Sequence, residues 1–544
     1  MRGGAAHELS RAELFAQETL GRDRESIGRY LRDCRVLIGI GRAPAGSRQG
    51  QIGLVTAVNI LSRMGLLVPN IDLDVPSDAR VLPGVPLLPR DQPLGESLIS
   101  FMRHLVDFQG IEATRARADP RLRYECGLFI GDARFDVEHP VTIGASRWLA
   151  AVNPLGSPED VDEGDSNPLG IILAAALGSA EVVKRLWLPL KDSAVVIEPM
   201  RQRTVMSALD GTVDTAEPPN PPFPPRCRLG HICIFGLGAI GSGCNYVLAC
   251  LPDVHMSADF IDMDHISLSN EERLFTSADP EANSNQPKVV HARNFIESLH
   301  SGVRVSAVPS SFQRYVESAR HRLSYVMCGL DSAPLRRVLQ TELAGIVVNG
   351  ATDLSRWMVS LHEYDRPENA CLWDMYPGLP VEAILLGDDL APHLRIREAL
   401  IRRLAREGGR LDGAQLESVA RELRDGRAER QAALGGTTPC DADAEPTCSR
   451  IRPSQVMPAA TISFVSLLPA VFMVADLVKR RTYDWSPARG QPNVFCYDAL
   501  RLPHQGQAAN ILASRDCFCQ CPRYREAFRL RQFFRTAAPH ARVP

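Results

Sequence analysis

Short unbroken apolar runs alternate along this chain with longer stretches whose apolar residues recur at helical spacing. That is the pattern of parallel strands buried on both faces and joined by helices. One unit is nearly complete. An apolar run at 232–235 leads into Gly236, Gly238 and Gly241, spaced as GxGxxG; a helical stretch, CNYVLACL, follows, and 258–264 (ADFIDMD) reads as a second strand ending in acids. Strand, glycines, helix and acidic strand end in that order predict a βαβ unit with a phosphate-binding turn.

The N-terminal part repeats this plan in degraded form. A strand at 35–41 (RVLIGIG) ends in GxG, a helix follows (GQIGLVTAVNILSRMG), then a strand ending in acids (NIDLDV) and a further strand at 124–132. Residues 42–47 (RAPAGS) interrupt the glycine turn, so the expectation is a pseudo-repeat that kept its fold and lost its nucleotide site. Two unrelated α/β domains are the alternative. The boundary between the parts is 217–226, EPPNPPFPPR, where proline density excludes a helix or a central strand and predicts an extended linker. Farther on, 393–404 and the stretch from Asp412 through Leu416, Val419 and Leu423 read as charged helices, and 435–447 as a flexible crossing loop. The predicted division is 1–216, the degenerate α/β domain; 217–229, the linker; 230–384, the α/β domain with the intact glycine turn; 385–447, a helical insertion and crossover loop; and 448–544, the C-terminal completion. Residues 459–478 are apolar and long enough to span a bilayer. Pro469, Asp476 and several hydroxyls within them favour a helix buried inside a protein domain.

Composition narrows the chemistry. Hydrophobic residues make up 45% of the 544 positions and charged residues 23%, as in ordinary globular proteins, and a net charge of −3 supplies no basic field for nucleic acid. Fourteen cysteines are too dilute for a secreted disulfide scaffold, and the N-terminal MRGGAAHELSRAELF lacks an apolar signal-type stretch; the expectation is a cytoplasmic protein with reduced thiols. Lysine occurs only at 184, 191, 288 and 479, so Lys288 inside a motif carries information.

That motif lies downstream of the glycine turn. Asp262 and Asp264 are followed by Asn270, Arg273, Gln286, Lys288 and, at the end of another apolar strand (SYVMCGLD), Asp331. A carboxylate at the second strand end can bond ribose hydroxyls. Arg and Lys in the same pocket can neutralise a triphosphate and stabilise charge developing at its α-phosphorus. A further Asp can hold Mg²⁺. The set suits ATP better than hydride transfer, although a dinucleotide oxidoreductase shares the first turn.

These residues resemble the adenylating domain of the E1-like superfamily, which includes ubiquitin-activating enzymes and the ThiF- and MoeB-type enzymes that adenylate sulfur carriers. The pattern GxGxxG, DxDxxxxSNxxR, QxK and a later Asp is matched at Gly236–Gly241, Asp262–Arg273, Gln286–Lys288 and Asp331. Leu274 stands where the family often has Gln, and the interval from Arg273 to Lys288 is slightly long. The resemblance implies two Rossmann-like adenylation domains, the N-terminal one degenerate, forming a pseudo-dimer within one chain. It implies that Asp262 and Asp264 hold the ribose, that Asn270, Arg273 and Lys288 contact phosphates, and that Asp331 positions Mg²⁺. It implies adenylation of the C-terminal carboxylate of a ubiquitin-like β-grasp protein. A loop cysteine would then capture the acyl group, and Cys448, followed by Ser449 and Pro453, fits that place, with Cys440 the alternative. An E2-like protein would accept the thioester, as in activating enzymes of bacterial defence operons. Relatives use an arginine from a partner's N-terminal helix, for which Arg11 is the candidate. Many also bind zinc through two CxxC pairs; here Cys371 is followed by Asp374, and the second region is Cys517, Cys519 and Cys521. The alternatives are an adenylating enzyme without a thioester step and a non-catalytic nucleotide-binding scaffold.

Overall fold

The structure is a computed structural model and describes residues 11–109, 115–162, 164, 166–191, 196–277, 285–318, 323–341, 344–363, 366, 368–376, 462–483, 492–514, 517 and 520. The predicted helices at 393–404 and after Asp412, the crossing loop, Cys440, Cys448, Cys519 and Cys521 lie outside the described residues.

The N-terminal half is built on one sheet. Its strands are β1 (Arg35–Ile40), β2 (Asn70–Asp74), β3 (Cys126–Ile130), β4 (His139–Ser146), β5 (Leu149–Asn153) and β6 (Thr204–Ser207), in the order β2-β1-β3-β4-β5-β6. The first four are parallel; β5 and β6 turn back antiparallel. Its helices are α1 (Arg11–Leu20), α2 (Arg24–Leu31), α3 (Arg42–Ala45), α4 (Arg48–Ser62), α5 (Leu94–Gln109) and α6 (Leu169–Trp187).

The C-terminal sheet runs β14-β13-β12-β11-β10-β7-β8-β9. Its strands are β7 (Cys227–Phe235), β8 (Val254–Ile261), β9 (Val303–Val308), β10 (Tyr325–Cys328), β11 (Ile346–Asp353), β12 (Arg356–Glu363), β13 (Val494–Asp498) and β14 (Gln507–Ala509). Helices α7 (Ala239–Cys250), α8 (Lys288–Leu299), α9 (Phe312–Ser318), α10 (Ala333–Thr341), α11 (Leu372–Met375) and α12 (Ser463–Thr482) complete it. Strands β9, β8, β7, β10 and β11 are parallel, and β12 to β14 antiparallel. Without its two edge strands, β9 and β14, this sheet has the same serial order as the first. The two-Rossmann expectation therefore holds at the level of strand order, and the halves are versions of one plan.

Two boundary differences from the sequence reading bear on the site. The strand predicted at 232–235 begins at Cys227, because Gly230 (φ 69°) absorbs a register shift that lets the linker feed directly into the ladder. The strand predicted at 258–264 ends at Ile261: Asp262 leaves the ladder because its carboxylate accepts hydrogen bonds from Leu237 N and Asp264 N. The linker itself is extended but pinned. Asn220 Oδ1 accepts from Trp148 N, Pro221 O accepts from Trp148 Nε1, and Phe223 packs 5.6 Å from the Trp148 ring.

Helix α12, the apolar segment of the sequence, is buried along nearly its whole length between the halves. Its polar residues explain why it is a core helix. Asp476 accepts from Tyr325 Oη (2.9 Å) and Arg480 Nε (2.7 Å), Arg480 reaches Glu363 at 2.8 Å, and Ser463 Oγ donates to Ile60 O in α4. Among the described residues no helix is long and apolar enough to cross a membrane. The two halves share this core, and Thr56 of α4 meets the Tyr246 hydroxyl of α7 at 2.9 Å.

Candidate active site

The site forms at the carboxyl ends of β7, β8 and β10, where the strand order reverses, the usual crevice of open α/β sheets. Each glycine of the turn has a different reason to be glycine. Gly236 takes φ 82°, and a Cβ there would meet Gly329 O at 2.8 Å. At Gly241 a Cβ would lie 2.0 Å from Gly236 O, so the first turn of α7 can approach the loop only without one. At Gly238 a Cβ would meet nothing within 4 Å. The backbone there borders open space, at the N-terminus of a twelve-residue helix whose end dipole and amide hydrogens favour an anion.

Asp262 and Lys288 face this turn. Asp262 Oδ2 accepts from Leu237 N at 2.6 Å and Oδ1 from Asp264 N at 2.8 Å. Burial pushes the Asp262 carboxyl above the usual carboxylate range, and the nearby Lys288 ammonium pulls against that shift. Lys288 is 7% exposed, and its Nζ lies 2.7 Å from Asp264 Oδ2. It is held there by main-chain bonds: Lys288 N donates to Asp264 O, Ile266 N to Gln286 O and Asn285 N to Ile266 O. The chain is thus closed between Asp264–Ile266 and Asn285–Lys288, which sets the lysine beside Asp264.

Asn270 and Arg273 lie on the 3-10 helix Leu268–Arg273, and Arg273 O accepts from Ser242 Oγ of α7 at 3.1 Å. Asp331 follows β10 and is exposed. Its loop abuts the turn, since Gly329 N donates to Phe235 O at 2.8 Å, and Arg336 anchors Leu330 O from α10. The structure thus brings Gly236, Gly238, Gly241, Asp262, Asp264 and Lys288 into direct connection, and sets the Arg273 and Asp331 segments on the same turn.

The corresponding turn of the N-terminal half is filled by the chain itself. A Cβ at Gly131 would lie 2.3 Å from Pro44 Cγ, one at Gly50 would lie 2.2 Å from Pro44 O, and one at Gly41 would lie 1.7 Å from Asp132 Oδ1. Pro44, on the short helix α3, packs into this turn against Gly131 and Gly50.

Sequence reasoning missed the contribution of this half to the candidate site in the other. Asn59 Nδ2 donates to Phe275 O (3.1 Å), and Arg63, buried at 2% exposure, donates to Ser277 O (2.6 Å) and Asn59 Oδ1 (2.7 Å). Together they hold the stretch after Arg273. Helix α1 sits on the same segment, with Ala12 N donating to Glu272 Oε2 at 3.0 Å, so the helix that Arg11 begins is beside the site in the same chain. A signal existed: Thr56, Asn59, Ser62 and Arg63 form a polar stripe at helical spacing in an otherwise apolar stretch.

Of the sulfur residues, Cys371 Sγ and Cys517 Sγ meet at 3.4 Å across 146 residues of sequence. Asp374, in the place of the second thiol, lies within reach of both; its Oδ2 accepts from Cys371 N and its Oδ1 from Ser514 N.

Residues 226–377 match the ThiF family model and residues 35–190 that of the BilD N-terminal domain. The chain is 28% identical over 118 residues to the NEDD8-activating enzyme E1 catalytic subunit of Caenorhabditis elegans, a match covering 22% of this chain and 27% of the relative. The matched region is therefore little more than a quarter of that relative's length. Among solved structures, E. coli MccB with AMPCPP and MccA aligns over 53% of this chain and 66% of its own, at 13% identity and a TM-score of 0.33. PaaA aligns over 24% of this chain and 41% of its own, at 18% identity and a TM-score of 0.21.

Proposed function

We propose that this chain, a member of the E1-like, ThiF/MoeB-type adenylation superfamily, uses ATP to adenylate the C-terminal carboxylate of a ubiquitin-like β-grasp protein in the cytoplasm. A loop cysteine then takes the acyl group as a thioester and delivers it to an E2-like protein. One observation carries the adenylation: a glycine turn open at Gly238, a half-buried carboxylate at Asp262 and a nearly buried ammonium at Lys288 converge on one crevice.

In this reading the α7 N-terminus and Lys288 receive the phosphates, Asp262 the ribose hydroxyls, and Arg273 with Asn270 the triphosphate. Both reactants are anions, and carboxylate attack on the α-phosphate is opposed by repulsion until cations offset it. Lys288 exchanges its bond to Asp264 for a phosphate oxygen, leaving Asp264 for the sugar. The exposed Asp331 carboxylate beside the turn is a hard oxygen donor of the kind magnesium requires; magnesium, when bound, neutralises phosphate charge. Arg11 would supply a further cation from within the chain, which fits the seating of α1 against Glu272.

Cys448 is the proposed nucleophile. Its thiol loses a proton, sulfur bonds to the acyl carbon, and the bond from that carbon to AMP oxygen breaks. Zinc bound by Cys371, Cys517, Cys519 and Cys521 is proposed as a structural ion, a reading supported by the meeting of the first two sulfurs. The decisive experiment incubates the chain with ATP, Mg²⁺ and a β-grasp protein ending in glycine. A reductant-sensitive conjugate is expected, and Cys448→Ala should abolish it while leaving partner-dependent ATP–pyrophosphate exchange intact. A conjugate that persists in Cys448→Ala but not Cys440→Ala moves the nucleophile. Exchange with no thiol adduct on any cysteine assigns an adenylating enzyme without a thioester step, and no partner-dependent AMP formation at all assigns a nucleotide-binding scaffold.

A further inference from the structure

Beneath the nucleotide turn, on the sheet face covered by α9, three side chains capable of binding a metal converge that the adenylation site does not use. They are His231 and Cys233 of β7 and Asp259 of β8, exposed by 7%, 0% and 7%. We propose that they form a binding site for a zinc-class divalent cation, separate from the Cys371–Cys517 pair.

The sheet register creates the cluster. His231 and Cys233 are two residues apart on one strand and so share a face, while Cys233 lies opposite Asp259 and His231 opposite Ser257. His231 Nε2 is 3.8 Å from Cys233 Sγ and 3.5 Å from Asp259 Oδ2, and one ligand atom from each residue lies within 4.8 Å of the others. Tetrahedral zinc, with its ordinary bonds to nitrogen, sulfur and oxygen, holds such atoms about 3.3–3.6 Å apart. The donors therefore stand close to ligand separation already.

The surroundings match what a metal site needs around its ligands. His231 Nδ1 is 3.1 Å from Ser257 Oγ, which fixes the ring so that Nε2 faces the cluster. The Tyr315 hydroxyl of α9 donates to Asp259 Oδ2 at 2.6 Å and lies 3.6 Å from Cys233 Sγ. Outer partners of this kind orient ligating imidazoles and carboxylates. Charge also balances. On binding, the Cys233 S–H bond breaks, its proton passes to solvent and a sulfur–metal bond forms, with no change of oxidation state. A thiolate and a carboxylate then neutralise a dication where neither sign is tolerable alone. The ion ties β7 to β8 two residues before Phe235 and Ile261, the strand ends from which Gly236 and Asp262 emerge. It thereby fixes the spacing of the nucleotide turn without touching nucleotide.

The test measures zinc retained after brief dialysis against EDTA, by plasma mass spectrometry, in the full unaltered chain, in Cys233→Ser, and in a chain with Cys371, Cys517, Cys519 and Cys521 changed to serine. The fourfold variant is expected to keep one equivalent. Loaded with Co²⁺, it should show a thiolate-to-cobalt charge-transfer band and the visible bands of a four-coordinate ion. Cys233→Ser should lose one equivalent relative to the unaltered chain. Either comparison decides alone if the other variant does not fold. A folded fourfold variant with no retained zinc, or with cobalt bound but no sulfur band, overturns the proposal; so does unchanged zinc in folded Cys233→Ser, which would mark the cluster as hydrogen-bonded packing only.

Discussion

Gly238→Ala separates nucleotide binding from folding. Gly238, at φ −70° and ψ −149°, lies outside the left-handed region, and the added methyl meets no protein atom within 4 Å. The cost to stability should therefore stay within about 0.5 kcal/mol, as for an unobtrusive surface change. A phosphate must come within about 2.9 Å of a backbone N–H to accept its hydrogen bond, whereas a methyl enforces about 3.5–4.0 Å. The triphosphate is displaced by roughly 1 Å, a misplacement worth about 100-fold in rate, or ~2.7 kcal/mol. Calorimetric titration with ATP should show one nucleotide per chain in the parent, since Pro44 packs into the other turn, and weaker binding in the variant. Pyrophosphate exchange should fall in parallel while the thermal midpoint holds. Gly241→Ala is the counterpart. Its methyl would lie 2.0 Å from Gly236 O, so it should destabilise by about 3 kcal/mol, the upper end of ordinary overpacking. If Gly238→Ala bound ATP normally at an unchanged midpoint, the nucleotide would not lie on this turn and the site assignment would fail.

Two further outcomes follow from the same geometry. Lys288→Met should lower the rate of partner-dependent exchange by about 10²–10³. It should also raise the Asp262 carboxyl further, because Lys288 is the chief force opposing the upward shift from burial. The acid limb of ATP binding then moves to higher pH. The contribution of Asp262 to stability is fully present below its unfolded pKa and is lost as pH rises through the raised folded value; an acid limb that does not move would remove Lys288 from the pocket. Arg63→Met removes the buried guanidinium bonds to Ser277 O and Asn59 Oδ1, which should cost about 2–4 kcal/mol in denaturant melts and raise the KM for ATP; a loss too small to measure would show that the N-terminal half does not brace the site.

The βαβ unit and its glycines were legible because strand, turn and helix are local and each leaves a short periodic signature. The charged motif was legible because Asp262, Asn270, Arg273 and Lys288 follow one another within a short stretch. The pseudo-repeat could be read only as a pattern, since strand order is a matter of pairing across the sheet. The plug at Pro44 announced itself as an interruption, but what it fills depends on Gly131, Asp132 and Gly50, which come from other elements. The polar stripe on α4 was visible, yet its partners at Phe275 and Ser277 belong to the other half of the chain. The thioester cysteine stays a sequence inference, since Cys440 and Cys448 fall outside the described residues.

By itself the sequence determined the elements and the chemistry of the nucleotide turn, because both rest on backbone sterics and on residues near one another in the chain. Tertiary structure decided which distant groups share a low-dielectric space: Arg63 with Ser277, Cys371 with Cys517, and His231 and Cys233 with Asp259. Such pairings are fixed by strand register and helix seating, where a side chain's neighbours depend on the whole packed core.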